Sequence, residues 1–255
     1  MININNLLQF YPPKVHAFKL SILREYLQYK ILNKIYSHEL SKKLCFIWWT
    51  ALRIWYGFER FSEDLDFDNW WLTTDEFEEL GKVIVRDLEL DGYEVESKII
   101  YKWAYHLHIK IPKLLFENNL AGMPTEKLVI KIDTIAQWLE YKPSIININK
   151  FGYNTNIYIA PIDVLLSMKI RAFFDRIKGR DIYDIVWLRW YNAKPIYNLI
   201  SEIASNPQEL QDKIIARNKD LDIDKLQSDV APFLMDGDNQ AVANRPRFIS
   251  QTKRE

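Results

Sequence analysis

The apolar positions of this chain follow two rhythms, and the change between them divides it. Over residues 14–36 (KVHAFKLSILREYLQYKILNKIY), Phe18, Ile22, Leu27, Ile31 and Ile35 recur at roughly helical spacing, which predicts a helix. Leu44–Ile47 is a short apolar run suited to a buried strand. Thr50–Tyr56 reads as a helix and Asp64–Asp68 as a second strand. Thr73 and Thr74, followed by Asp75, Glu76 and Glu78, mark the start of a helix that should run to about Leu90. Tyr93–Tyr101 and Tyr105–Ile111 alternate as neighbouring strands, with Pro112 as the stop. Lys127–Asp133 alternates cleanly, with Leu128, Ile130 and Ile132 on one face and Val129, Lys131 and Asp133 on the other. Ser144–Ile148 and Asn156–Ile159 complete the strands. From Pro161, placed as a first helical residue, the rhythm becomes helical. The polar tail from Asp236 is expected to be loosely ordered. The pattern predicts a mixed α/β core over residues 1–160 and a helical domain over 161–255, without internal repeats.

Composition narrows the possible partners. The chain has 34 basic and 34 acidic residues and a net charge of +0, which argues against coating nucleic acid non-specifically but allows a local basic patch. Cys45, the single cysteine, excludes a disulfide framework and makes a reducing cytoplasm the expected setting. The start, MININNLLQFYPP, lacks the basic and apolar regions of a secretory signal. No apolar run approaches the about 20 residues of a membrane span. Glycine numbers 7 where average usage predicts about 18, and tryptophan numbers 9.

Candidate chemistry gathers in two places. In SEDLDFD, alternation puts Ser62, Asp64, Asp66 and Asp68 on one face, with Leu65 and Phe67 turned to the core. Aspartate is disfavoured in strands and neighbouring carboxylates repel, so a divalent cation would resolve both problems; an acidic strand end facing solvent shares the pattern. Asp133 ends another alternating strand and could meet this pair across a sheet, although a turn-forming aspartate before Thr134 fits as well. Three carboxylates could hold two metals for phosphoryl or nucleotidyl transfer. The second cluster is MKIRAFFDRIKGRDIYDIVWL, residues 168–188. Lys169, Phe173 and Arg176 fall on one helical stripe, Gly179 suits a helix end, and Asp181 with Asp184 reads as an N-cap with an acid at N3. Lys169, Arg171, Arg176, Lys178 and Arg180 suit a triphosphate or an RNA backbone, or form a solvated hairpin. His106 and His108 share a strand face but lack a third ligand, so they read as ordinary strand residues. No Walker loop, GxSxG elbow or dinucleotide fingerprint occurs.

Together, FIWWTALRIWYGFERFSEDLDFD and DVLLSMKIRAFFDRIKGRDIYDIVWL resemble the nucleotidyltransferase toxins of the abortive-infection AbiEii/AbiGii group, within the DNA polymerase β-like superfamily. The flanking REYLQYKIL, AYHLHIKIP and SDVAPFL stretches fit the same pattern, so the resemblance spans most of the chain. It implies a polymerase β-like nucleotidyltransferase core with a mixed sheet and a C-terminal helical domain. It also implies a bacterial toxin with a co-encoded antitoxin, transferring a nucleoside monophosphate from an NTP, with Mg²⁺ or Mn²⁺, to an RNA such as the tRNA acceptor end. By position, Asp64 and Asp66 match the metal pair, Lys169 a phosphate-engaging lysine and Asp181 the acid of the second motif. Asp133 is assigned as the third carboxylate, Arg60 and Ser62 as nucleotide contacts, and Arg176 as a triphosphate contact.

One departure stands out. Trp48–Trp49, followed by Thr50, occupy the place where that family carries Gly-Gly or Gly-Ser before a helix N-terminus, a turn whose exposed N–H groups bind the triphosphate. Genuine indoles there imply a catalytically inactive member that keeps the fold as a binding or regulatory module. Alternatively, the residues are glycines encoded by UGA, which some bacterial lineages read as glycine and others as tryptophan. Trp71, Trp103 and Trp190 also sit where glycine suits the local pattern, whereas Trp187 lies in an apolar helical face. A phosphohydrolase using the same carboxylates is a further possibility.

Overall fold

A computed structural model of the chain describes residues 2–58, 60–136, 139–218 and 221–231. The tail from Asp236 and the end of the SDVAPFL stretch lie outside the described residues. The chain divides into two compact units, Met1–Trp138 with Pro143–Ile159, and Leu139–Lys142 with Ala160–Glu255.

The first unit runs α1 (Ile4–Leu8), α2 (Lys19–Ser37), β1 (Leu44–Ile47), α3 (Trp48–Tyr56), β2 (Leu65–Asn69), α4 (Thr74–Leu90), β3 (Glu96–Tyr101), β4 (Tyr105–Pro112), α5 (Leu114–Glu117), β5 (Lys127–Ala136), β6 (Ser144–Lys150) and β7 (Tyr153–Ile159). The expected helix over 14–36 starts only at Lys19, because extended Pro12 leads into a separate 3₁₀ turn at Pro13–Val15. The predicted start at Thr73 holds: its side chain accepts from the Glu76 N–H while Glu76 reaches back, a capping box. β5 runs three residues beyond Asp133, because Thr134, Ile135 and Ala136 continue the pairing with β2.

The seven strands form one mixed sheet in the order β3-β4-β5-β2-β1-β7-β6, with β2–β5 and β1–β7 parallel and the other pairs antiparallel. Alternation gives the sheet two unlike faces. Phe46, Phe67, Leu107, Ile130 and Ile132 are buried on the face that meets α2 and α4. Phe77 of α4 lies 5.5 Å from Tyr105, and Tyr36 of α2 lies 6.5 Å from Phe67. Asp66, Asp133, His106, Lys131 and His108 point to the opposite face.

Glu25 of α2, 3% exposed, ties α3 to this scaffold. It accepts from Tyr11 Oη at 2.8 Å, from Lys150 Nζ at 2.7 Å and from Arg53 Nε on α3. Burial pushes its pKa up, but Arg53 and Lys150 outweigh that and hold it below the usual carboxylate value. Its stabilising contribution is therefore present above about pH 4.3 and lost as pH falls through the depressed folded value. Glu25→Gln should cost about 3 kcal/mol by denaturant titration at neutral pH, because the partly buried Arg53 and Lys150 lose their charged partner. The gap between variant and wild type should narrow in acid.

The second unit contains α6 (Ile162–Asp175), α7 (Gly179–Trp190), α8 (Pro207–Asn218) and α9 (Ile223–Val230). A Cβ on Gly179 would fall 1.9 Å from the Leu226 carbonyl oxygen, so a glycine is needed where α7 meets α9. That contact starts α7 at Gly179, with Lys178 at the N-cap. Asp181 is therefore a third helical residue and not the expected N-cap. Arg176 likewise follows the end of α6 in extended conformation and does not share a helical stripe with Lys169.

Candidate active site

Strand register gathers the carboxylates. Asp66 stands opposite Asp133 in the parallel β2–β5 pair, and His106 stands opposite Asp133 across the antiparallel β4–β5 pair. The row His106–Asp133–Asp66 thus crosses three adjacent strands, and His106 Nδ1 lies 2.8 Å from Asp133 Oδ1. Asp64 lies one residue before β2, with Lys131 Nζ 3.8 Å from its Oδ1. Burial raises the Asp64 pKa; Lys131 opposes the shift, while Asp133 and Glu63 add to it. An acid whose folded pKa is raised costs the fold stability above that value, and the cost vanishes below the unfolded value of about 3.9. In chelator at neutral pH, Asp64→Asn should therefore melt higher than wild type by scanning fluorimetry, with the gap closing near pH 4. A lower melting temperature at neutral pH would contradict this electrostatic picture.

The turn between β1 and α3 has no linker: extended Ile47 passes directly into the helix. Thr50, wholly buried on the first turn of α3, donates its hydroxyl to the Asp64 carbonyl and lies 2.8 Å from Ser62 Oγ. Gln28 Nε2 donates to the Ser62 carbonyl at 3.1 Å. The Arg60 guanidinium, itself buried, stacks 3.6 Å over the Trp49 ring and donates to the Phe61 carbonyl. Residues 60–64 are thereby fastened to α3, so the turn and the carboxylates keep one geometry.

Trp48 has φ 62° and Trp71 φ 57°, the left-handed region that costs a non-glycine residue about 1–2 kcal/mol. Phe151, with φ 56° in the β6–β7 hairpin, sets its ring against Phe10, Tyr26 and Tyr29. Trp71, 90% exposed, has no such burial to offset its backbone. Trp103 and Trp190 are also exposed, whereas Trp187 is buried and stacks 4.1 Å from Tyr191.

The second cluster closes on itself within the helical unit. Lys169 Nζ, fully buried, lies 3.1 Å from Asp184 Oδ2 and 3.4 Å from Asp181 Oδ1. Asp181 Oδ2 also accepts from Arg176 Nε at 3.2 Å, and the Arg176 side chain remains half exposed. Arg171 pairs with Glu202, and Arg180 lies 3.8 Å from Asp229. Four of the five cations thus have acidic partners, where the sequence suggested a row open to a polyanion.

A family model for the nucleotidyl transferase AbiEii toxin, of type IV toxin–antitoxin systems, matches residues 50–248. The chain belongs to the AbiEii family. Two solved structures from Helicobacter pylori share the fold of this AbiEii chain at 18% identity. JHP933 aligns with a TM-score of 0.54 over 91% of this chain and 92% of its own. A chain assigned as a nucleotidyltransferase aligns at 0.53 over 91% of this chain and 95% of its own. No curated protein matches. Among the described residues, no helix is long and apolar enough to cross a membrane.

Among the described residues of this AbiEii chain, no three His, Cys, Asp or Glu side chains stand gathered as a ready-made metal cage. Its donors are nevertheless the hard oxygens that Mg²⁺ or Mn²⁺ takes, and Mg²⁺ uses one or two carboxylates with substrate phosphates supplying further ligands. Asp66 and Asp133 in register, with Asp64 beside them, fit that requirement. The sequence alone set His106 aside as an ordinary strand residue, because its contact with Asp133 depends on the register of strands more than 20 residues apart. It also passed over Lys131, although alternation already put it on the face of Asp133.

Proposed function

We propose that this AbiEii chain is a metal-dependent nucleotidyltransferase toxin that moves a nucleoside monophosphate from an NTP to an RNA acceptor, with tRNA as that acceptor. The observation that carries the reading is the register that sets Asp66 beside Asp133, with Asp64 at the mouth of the same strand. Asp64 and Asp66 are assigned to Mg²⁺ or Mn²⁺, and Asp133 to a metal or to the attacking hydroxyl as base. A bound divalent ion would stabilise charge on the reacting phosphoryl group. His106 holds the Asp133 carboxylate through Nδ1, and Thr50 holds the Asp64 backbone. The N-terminus of α3 offers its N–H groups and dipole to the triphosphate, with Arg60 and Ser62 beside it. Lys169, Arg176 and Asp181, which the sequence assigns to triphosphate contact and its support, pair with one another inside the helical unit. A co-encoded antitoxin is the expected partner and the cytoplasm the expected setting.

The left-handed backbone at Trp48 and Trp71 supports glycine at both positions, and with it UGA codons at 48, 49, 71, 103 and 190. Genuine indoles at 48 and 49 favour the second reading, a catalytically inactive binding module. The direct test is transfer of label from an α-labelled NTP to tRNA with Mg²⁺. Metal-dependent incorporation is expected; NTP turnover without incorporation would point to a phosphohydrolase.

A further inference from the structure

The face that carries the carboxylates continues toward the β3 edge, and there its charge reverses. Lys98 of β3, His108 of β4 and Lys131 of β5 stand opposite one another in a single cross-strand row. That row adjoins the one holding His106, Asp133 and Asp66. One row further, Lys110 stands between Glu96 and Val129. The Glu96 carboxylate is taken up by Lys127 at 2.6 and 2.7 Å. Lys98 and Lys110 make no ion pair with a described acid. Burial lowers the proton affinity of His108; Asp133 opposes this, and Lys131, His106 and Lys110 lower it further, as a cationic surrounding does.

Strand order separates the two ends of the site. Reading across β1-β2-β5-β4-β3, the triphosphate turn follows β1, the carboxylates sit on β2 and β5, and the cations lie on β5, β4 and β3. The donor side is therefore already occupied, and the cationic strip lies on the other side of the reacting centre. Strands about 5 Å apart and rows about 7 Å apart let long lysine side chains reach consecutive phosphates.

We infer that the open face of β3, β4 and β5, through Lys98, Lys110 and Lys131, binds the phosphate backbone of the acceptor RNA and leads its 3′ end to Asp64, Asp66 and Asp133. The inference rests on the proposed nucleotidyl transfer, so binding and transfer are measured separately. Full-length Lys98→Glu/Lys110→Glu is compared with wild type for affinity to unfractionated bacterial tRNA across a salt series, and for KM of tRNA and of NTP. Expected are a tRNA dissociation constant and KM raised at least about tenfold, and an unchanged KM for NTP. The salt slope should fall by about 1.4, from about 0.7 for each lost phosphate contact. Lys98→Arg/Lys110→Arg should keep the affinity, separating charge from misfolding. Unmoved tRNA affinity and slope would overturn the surface, as would an effect confined to the KM of NTP. Loss of tRNA affinity in the Glu variant, with no transfer by wild type, would keep the surface and remove the reaction.

Discussion

Asp66→Ala should lower nucleotide transfer at least about a thousandfold, or about 4 kcal/mol of transition-state stabilisation, without loss of the fold. Asp66 directly neighbours Asp133 across the parallel β2–β5 pair, so the change removes one of two adjoining carboxylates. Its neighbours along the strand, Leu65 and Phe67, carry the core packing, and they remain. Circular dichroism and melting temperature should therefore stay close to wild type while incorporation of label disappears. Activity within about tenfold of wild type would mean that the reacting phosphoryl group lies elsewhere.

The second large effect concerns the turn. Trp48→Gly/Trp49→Gly should raise NTP affinity by about two orders of magnitude, about 2.7 kcal/mol. Glycine adopts the φ of 62° at position 48 without steric cost, and without a side chain at 48 and 49 phosphate can approach the backbone N–H groups at the start of α3. Isothermal titration with NTP and Mg²⁺ reads the change; equal affinity in both proteins would contradict it. Two controls separate glycine positions from genuine aromatics. Trp71→Gly should be neutral or stabilising, whereas Trp187→Gly should cost about 3 kcal/mol or more, because it opens a cavity against Tyr191. The gene provides an independent check: UGA at 48, 49, 71, 103 and 190 is expected, and UGG at 48 and 49 would contradict it.

Local rhythm was legible and pairing was not. Alternation over Lys127–Asp133 identified both faces of β5, and Thr73 with Glu76 identified the start of α4, because each signal lies within a few residues. The meeting of Asp66 with Asp133 requires β2 and β5 to be parallel neighbours although α4, β3 and β4 intervene, which periodicity along either strand does not encode. His106 joined the site for the same reason. Asp181 was misplaced as an N-cap because spacing to Asp184 suits a cap, whereas the close approach at Gly179 starts α7 three residues earlier, with Lys178 as the N-cap. The basic run at 169–180 suggested an open anion site, but its partners Asp184, Glu202 and Asp229 reach it through tertiary packing. At Trp48 the motif already set tryptophan where the resembling family carries glycine, and the backbone there is left-handed.

We propose that Asp64, Asp66 and Asp133 form a nucleotidyl-transfer site that needs a glycine-type turn before α3. The most direct test is transfer of α-labelled nucleotide to tRNA with Mg²⁺ by the Trp48→Gly/Trp49→Gly protein, with and without Asp64→Ala. Label should enter tRNA with the first protein and fall to background with the second; equal incorporation by both, or none by either, would contradict the account.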